Sequence, residues 1–486
     1  MRHTVVISDL HLSQLEPGSG PWMRHRQAHA APDADLAALF DHLASLTYLG
    51  SSLCLVLAGD VFDFDAPIVT GQTSRLQGTD RTEARAVATL DAILDDHPRF
   101  VEALEALLVI GVEIVFISGN HDAELTLPAV RARLRDRLRH AGSRSSASSG
   151  TLSFRAWFHR TPDGILIEHG HQYDPACSHR HPMHPFTLDG HEIEPTLGSL
   201  GSRLLAARVG TLDPHDDRVL PLRPLPFAAH WARHYLASRR LLLLGFATGI
   251  GRSLSLLHRH SPRDDARERR SSRALRRRDL RAASFETGAS LSAVTRHARL
   301  AARPTGDRLL SVARALFVDH VLFGALALLG AAALVLLAPR PWVLTASLPL
   351  AAFLVYASAA RASPLAAGWR SAGHSAEAIA RIHDARAVVF GHTHAPEGRW
   401  GEGGVFVGNS GSWPASADGR PRPRPVVWLR SEGAHLEGGL YAFTSGSLVP
   451  QSFGTNRERS TPGSEATNAN PKNAVNPSCV ARNPLA

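Results

Sequence analysis

Apolar and polar positions follow two different rhythms along this chain. Short uncharged runs at Val5-Val6-Ile7, Leu53 to Ala58, Ile114 to Ile117, Ile165-Leu166-Ile167 and Val388-Val389-Phe390 predict buried β-strands. Between the early runs, apolar residues recur at helical spacing. Helices are predicted over Ala34 to Leu46, with Asp33 as cap, then over Arg81 to Asp96, Pro98 to Leu108 and Pro128 to His140. The His97-Pro98 step separates the second helix from the third. Further strands are predicted at Leu152 to Phe158, Val405 to Val407, Val426 to Leu429 and Leu436 to Tyr441, with a Ser-rich link over Arg144 to Gly150. This alternation indicates an α/β fold. From Gln451 onward the chain is rich in Asn, Ser, Pro and Thr and nearly lacks large apolar residues, the composition of a disordered tail.

Five of the strand-like runs lead directly into polar clusters. These are Asp9-Leu10-His11, Gly59-Asp60-Val61-Phe62-Asp63, Gly119-Asn120-His121-Asp122, His169-Gly170-His171 and Gly391-His392-Thr393-His394. Singly, Gly-Asp and Gly-Asn pairs mark turns, and Asp63 reads equally as an outer partner of a site or as a helix cap. Together the clusters form a ligand set for two metal ions. Carboxylates, imidazoles and an amide oxygen suit Mn, Fe or Zn without thiolates, and a two-metal hydrolase holds its cations roughly 3.5–4 Å apart around an activated water. In open α/β sheets such a site lies beyond the carboxyl ends of the strands. The two-residue spacing of Asp9 and His11, and of His392 and His394, turns each pair to one side of an extended chain.

The ordered set resembles the signature of the calcineurin-like metallophosphoesterases, over roughly residues 1–175 and 385–415. The resemblance implies two packed mixed β-sheets flanked by helices. It also implies one metal held by Asp9, His11, Asp60 and His394, and a second by Asp60, Asn120, His169 and His392, with Asp60 bridging. A hydroxide between the metals would attack phosphorus in line. His121 would contact the phosphate and protonate the leaving group, a role that suits an imidazole near neutral pH, and Asp122 would orient its ring. Manganese is the leading choice of metal, with Fe or Zn as alternatives. Asn409 to Trp413 resembles the family's closing segment.

Composition changes the picture in two respects. The net charge is +9 and Lys472 is the sole lysine, so the basic residues are nearly all Arg. That bias follows either from a GC-rich gene or from attraction to anionic headgroups and phosphates. The three cysteines, Cys54, Cys177 and Cys479, are far apart, which fits a reducing compartment rather than a disulfide framework. Met1-Arg2-His3 runs straight into the first strand, so no cleavable leader is expected and the N-terminal half is assigned to the cytoplasm.

The second respect is the stretch separating the last two clusters. Residues 1–175 and 385–450 are read as the two parts of one catalytic domain, 176–384 as a helical, Arg-rich insert, and 451–486 as the tail. Within the insert, Val321 to Ala338 and Trp342 to Ala360 lack charge, and each has about the length that spans hydrocarbon, roughly 17–25 residues. A transmembrane hairpin is therefore expected over 317–360, returning the chain to the side it left. Arg296, Arg299, Arg303, Arg308 and Arg314 before it, and Arg361 and Arg370 after it, outnumber Arg340 in its turn, which places the catalytic domain on the cytoplasmic side of the inner membrane. Leu241 to Leu257 is read as an interfacial helix or a cap over the site, and the charged run Arg263 to Arg281 as a solvated or headgroup-binding helix. That run lacks the interleaved aromatics of a stacking surface, so no specific nucleic-acid partner is expected. His179, His181 and His184 are read as pocket or loop residues rather than a third metal site.

A membrane hairpin beside a phosphoesterase site implies a phosphoester or pyrophosphate substrate held in the bilayer. The layout is similar to the bacterial hydrolases of UDP-2,3-diacylglucosamine, which carry Arg where this chain has His121 and His-Gly-Asp where it has His169-Gly170-His171. The alternatives are an anchored phosphoesterase acting on a soluble nucleotide or phosphoprotein, and a non-catalytic metal-binding scaffold assembling membrane partners.

Overall fold

The predicted runs become strands whose alternating side chains feed separate hydrophobic layers. The computed structural model describes residues 1–16, 26–47, 51–66, 81–139, 150–187, 192–206, 241–260, 266–315, 318–337, 339, 345–359, 375–401, 403–414 and 423–451. Residues 144–149 of the Ser-rich link and the tail beyond Gln451 lie outside them. Strands β1 (Arg2–Ile7), β2 (Ser52–Ala58), β3 (Glu113–Ile117) and β4 (Leu152–Arg155) are parallel. The antiparallel strands β10 (Arg424–Glu432), β11 (His435–Thr444) and β12 (Ser447–Pro450) extend the sheet beyond β1. A second sheet has the order β5 (Phe158–Arg160), β6 (Ile165–Glu168), β7 (Ala387–Phe390), β9 (Phe406–Asn409), β8 (Glu397–Trp400), with β6, β7 and β9 parallel.

Period-two alternation assigns each residue to a layer. Val5, Ile7, Leu55, Leu57, Ile114 and Phe116 face helices α1 (Asp33–Thr47), α2 (Glu83–Asp96), α3 (Pro98–Val109) and α4 (Pro128–Arg137). Their alternates Val6, Val56, Ala58, Val115 and Ile117 pack against Ile165, Ile167 and Val389 of the second sheet. The outer face of that sheet, with Leu166, Val388 and Phe390, is covered by Ala283, Val294 and Ile379 from the helices Ala266–Thr287, Leu291–His297 and 375–383. The result is an α/β fold of two packed mixed sheets flanked by helices. The apolar run Leu152 to Phe158 forms two strands rather than one. It breaks at Ala156-Trp157 and passes from the edge of the first sheet to the edge of the second.

In β5, His159 is 6% exposed, and burial, aided by the Arg155 and Arg2 charges, lowers its pKa to about 4. An unfolded-chain histidine, with pKa about 6.5, takes up a proton that the folded protein refuses until near pH 4. Stability is thus unaffected above pH 6.5 and falls as pH drops toward 4, by up to about 1.4 kcal/mol per unit. Urea unfolding at pH 7 and pH 5 should show wild type losing about 2 kcal/mol more than His159→Gln. Equal losses would mean that the folded protein readily protonates this ring.

Within the insert, the helix Leu241–His260 packs Leu257 against Leu197, Leu200, Leu204 and Val312. Along the helix Ala266–Thr287, Arg273, Arg276, Arg277 and Arg281 are exposed. The helix Val318–Leu337 has 20 residues and, at 1.5 Å per residue, a length of about 30 Å. It exposes Leu322, Leu326, Leu329 and Leu336. It pairs with the helix Ser347–Ala359 through Phe353 over Gly324 and Pro349 over Gly330, and the Tyr356 hydroxyl donates to Asp319. The second helix has 13 residues, fewer than a span needs, and residues 341–344 at its start lie outside those described. Among the described residues, one helix of the expected pair is long and apolar enough to cross a membrane.

Candidate metal centre

Parallel strands end on a common edge, so β1, β2, β3, β6 and β7 deliver their polar clusters to one place. The loops continue the strand ladder: Asp9 N donates to Gly59 O at 3.0 Å, His11 N to Asp60 O at 2.9 Å, and Gly391 N to His169 O at 3.0 Å. Asp9, His11, Asp60, His392 and His394 all have φ between 48° and 66°. This left-handed conformation disfavours L-residues with side chains, and such strain gathers where a site over-determines the backbone. Two glycines admit the close approach. A Cβ on Gly119 would strike the Asp60 carboxylate, and one on Gly391 would strike Ser8 and Asp9.

Two groups of donors result. In the first, Asp9 Oδ2 accepts from the Ser8 hydroxyl and from His392 N, which turns Oδ1 toward His394 Nε2 at 3.2 Å and His11 Nε2 at 3.9 Å. In the second, Asp60, His169 and His392 converge. His169 Nδ1 faces the Ala58 carbonyl at 2.9 Å, an atom that can only accept, so Nδ1 carries the proton and Nε2 is left to bind. That Nε2 lies 3.1 Å from Asp60 Oδ2 and 3.2 Å from Asn120 Oδ1. Asp60 also groups with His11 and His121, so it joins the two halves.

These donors fit cations better than they fit one another. The Nε2 atoms of His11 and His394 are 3.2 Å apart, where a single proton serves at most one of them, and both face the buried Asp9 Oδ1. Burial opposes charge on Asp60, but His169 and His121 hold its carboxyl well below the usual range. Divalent ions bound here would supply Lewis acidity toward a phosphoryl oxygen and an activated water.

His121 borders this centre with Nδ1 3.2 Å from Asp63 Oδ1 and 3.4 Å from Asp65 Oδ2. Burial disfavours its charge, yet Asp60, Asp63 and Asp65 outweigh burial and raise its pKa to about 10 in the metal-free protein. Asp122, expected to orient this ring, lies elsewhere. Its carboxylate accepts from Gly119 N at 2.6 Å and Val61 N at 2.8 Å, tying two ligand loops together. The carboxylates beside the His121 ring are therefore Asp63 and Asp65. Asp63 also accepts from Asp65 N and Ala66 N, capping a turn rather than a helix among the described residues. Asp65 is held in turn by Arg203 Nε at 2.6 Å and Ser199 Oγ at 3.0 Å, both contributed by the insert.

The segment Asn409 to Trp413 closes the centre. Asn409 Nδ2 donates to Gly391 O, and Trp413 N to Asp9 O. His171 and His179 are buried beside His169, with ring centroids 5.4 Å apart for His169 and His171 and 5.9 Å for His171 and His179. His181 and His184 face Arg276 and Arg278. Among the described residues, none of His179, His181 and His184 belongs to a group of donors close enough to share a metal. Sequence reasoning missed Asp65, Asp174 and Cys177. The first two each lie five residues beyond a ligand, an offset with no periodic signal, and the third stood without ligand spacing around it.

Residues 2–237 match the family model described as Calcineurin-like phosphoesterase. The Gly391 to His394 cluster lies outside the matched range and reaches the centre because β7 pairs with β6. No curated protein matches the chain. Members of the matched family typically bind two divalent metals, and here the strand ends collect several groups of His and Asp donors able to hold them. Residues 2–237 thus carry a calcineurin-like phosphoesterase domain, and the protein is a metal-dependent phosphoesterase.

Proposed function

We propose that this phosphoesterase is held at the cytoplasmic face of the inner membrane by its apolar helices and hydrolyses a phosphoester or pyrophosphate bond of a lipid-linked or nucleotide-sugar substrate. The observation that carries the membrane part is the exposure of Leu322, Phe323, Leu326, Leu328, Leu329, Leu336 and Leu337 on one long helix, continued by Leu348, Leu354 and Val355 on its neighbour. A contiguous apolar surface of this kind is unfavourable in water and favourable in lipid. In the catalytic part, Asp9, His11, Asp60 and His394 hold one ion, Asp60, Asn120, His169 and His392 hold the other, and manganese suits their hard and imidazole donors. His121 meets the phosphate and protonates the leaving oxygen, with Asp63 and Asp65 setting the angle of its ring.

The test uses the full chain. It should sediment with membranes, resist an alkaline wash, and need detergent for release. Reconstituted in vesicles with Mn²⁺, it should cleave a lipid-linked pyrophosphate at least about tenfold more efficiently than an aryl phosphodiester, a difference of about 1.4 kcal/mol in transition-state binding. Monodisperse behaviour without detergent would remove the membrane reading. Equal efficiency on the two substrates would remove the lipid reading while leaving the phosphoesterase intact.

A further inference from the structure

The insert reaches the His121 side of the centre through one buried ion network. Asp65, Arg81, Glu124 and Arg203 are each no more than 4% exposed. Arg203 Nε donates to Asp65 Oδ1 at 2.6 Å, and Ser199 Oγ donates to the same oxygen at 3.0 Å. The carboxylate is thereby held with Oδ2 3.4 Å from His121 Nδ1. A second nitrogen of Arg203 donates to Phe64 O at 2.9 Å, and Phe64 N donates to His121 O at 3.0 Å. Arg203 thus grips both a carboxylate beside the His121 ring and the strand of backbone beside His121. Arg81 donates to Ser199 Oγ at 3.1 Å and to Glu124 Oε1 at 2.8 and 3.0 Å, and Glu124 lies in the turn Ala123–Thr126 that follows the His121 loop.

Two guanidinium groups face two carboxylates, so the network is balanced in charge only while Arg203 is in place. Without it Asp65 becomes an under-compensated buried anion, and such a group shifts toward water or draws its neighbours out of place. The donors themselves are held by packing. Leu197, Leu200 and Leu204, on the same segment as Ser199 and Arg203, pack against Leu257 and Val312 from the insert helices Leu241–His260 and Leu309–Ala315. We propose that Arg203, assisted by Ser199, is a positioning residue for proton transfer to the leaving group: it acts on His121 chiefly through Asp65, so the insert completes the catalytic apparatus as well as anchoring it. The inference rests on the reading of His121 as the general acid. A catalytic group displaced by 1 Å can cost 10²-fold. Here the loss is smaller, because Asp63 still holds His121 Nδ1 at 3.2 Å.

The test is a double-mutant cycle on the full chain in detergent with Mn²⁺. Turnover is read on bis(4-nitrophenyl) phosphate, whose leaving phenol is acidic, and on diphenyl phosphate, whose leaving phenol is much less so. Arg203→Gln and Asp65→Asn should each lower turnover of diphenyl phosphate by about tenfold and change that of the nitrophenyl ester little. Because the two act largely through one contact, the double variant should fall well short of the roughly 100-fold loss that independent effects would give. Arg203→Lys, which keeps the cation, should recover part of the loss. Elemental analysis should find as much metal in each variant as in wild type. Should Arg203→Gln fail to fold, Ser199→Ala decides: it removes one donor, leaves the charges balanced, and should show a smaller loss with the same bias toward diphenyl phosphate. Unchanged turnover, equal losses on the two esters, losses that multiply in the double variant, or metal lost along with turnover would each overturn the proposal. A His121→Gln variant impaired equally on both esters would instead overturn the general-acid reading beneath it.

Discussion

Asp60→Ala is expected to reduce metal content from two ions per chain to one or fewer, and turnover by more than about 10³-fold, beyond the loss from removing a single electrostatic donor. Asp60 takes part in both donor groups, with His11 and His121 on one side and with His169 and His392 on the other. Its loss therefore weakens both positions at once and leaves the cations without the carboxylate between them. Its place is hard to fill, since the Asp60 backbone is left-handed at φ 51° and Gly119 is close enough that any side chain there would strike the carboxylate. Elemental analysis of the purified variant, together with turnover at saturating Mn²⁺, checks the prediction. Two ions bound with turnover near wild type would show that Asp60 does not bridge.

His121→Gln should behave differently. The variant should still bind two ions, because this ring, although it also groups with His11 and Asp60, is outside both the Asp9, His11, His394 group and the Asp60, His169, His392 group. Turnover should fall by roughly 10²–10⁴-fold if the ring is the general acid. The loss should depend on the leaving group. Esters of acidic phenols, whose oxyanions leave without a proton, should lose little, and alkyl esters should lose most. Asp65→Asn should produce a smaller loss, about tenfold, with the same dependence, because Asp63 still holds Nδ1 at 3.2 Å. A uniform loss across leaving groups would assign His121 to phosphate binding instead of proton transfer.

The parts of the site legible in the sequence were those that chemistry constrains locally. Asp9, Asp60, Asn120, His169 and His392 each follow a short apolar run, since a side chain that reaches the shared edge must stand where a strand ends. The run has to be apolar because both faces of these strands are buried, as Val5 and Val6 show by packing into different layers. Asp122 was misread for a related reason. Its neighbour in sequence is His121, but the chain turns there, and its carboxylate meets the backbone of Gly119 and Val61 instead. Asp65 and Arg203 are far apart in sequence and carry no joint signal, and only the packing of the insert behind the His121 loop brings them within 2.6 Å.

The sequence by itself determined most strand positions, the α/β class, the donor types and an apolar helix over Val321 to Ala338, found at Val318–Leu337, because each depends on local composition and spacing. The tertiary structure decided what depends on distance through space. It split Leu152 to Phe158 between two sheets, and it placed β7 beside β6 so that His392 reaches Asp60. It also set Asp63 and Asp65 against His121 and turned Asp174 toward His392. Strand periodicity says which face a residue occupies, but it does not say which strand lies alongside. Pairing is settled by the global packing of two sheets around one shared core, and the centre forms where their parallel ends meet.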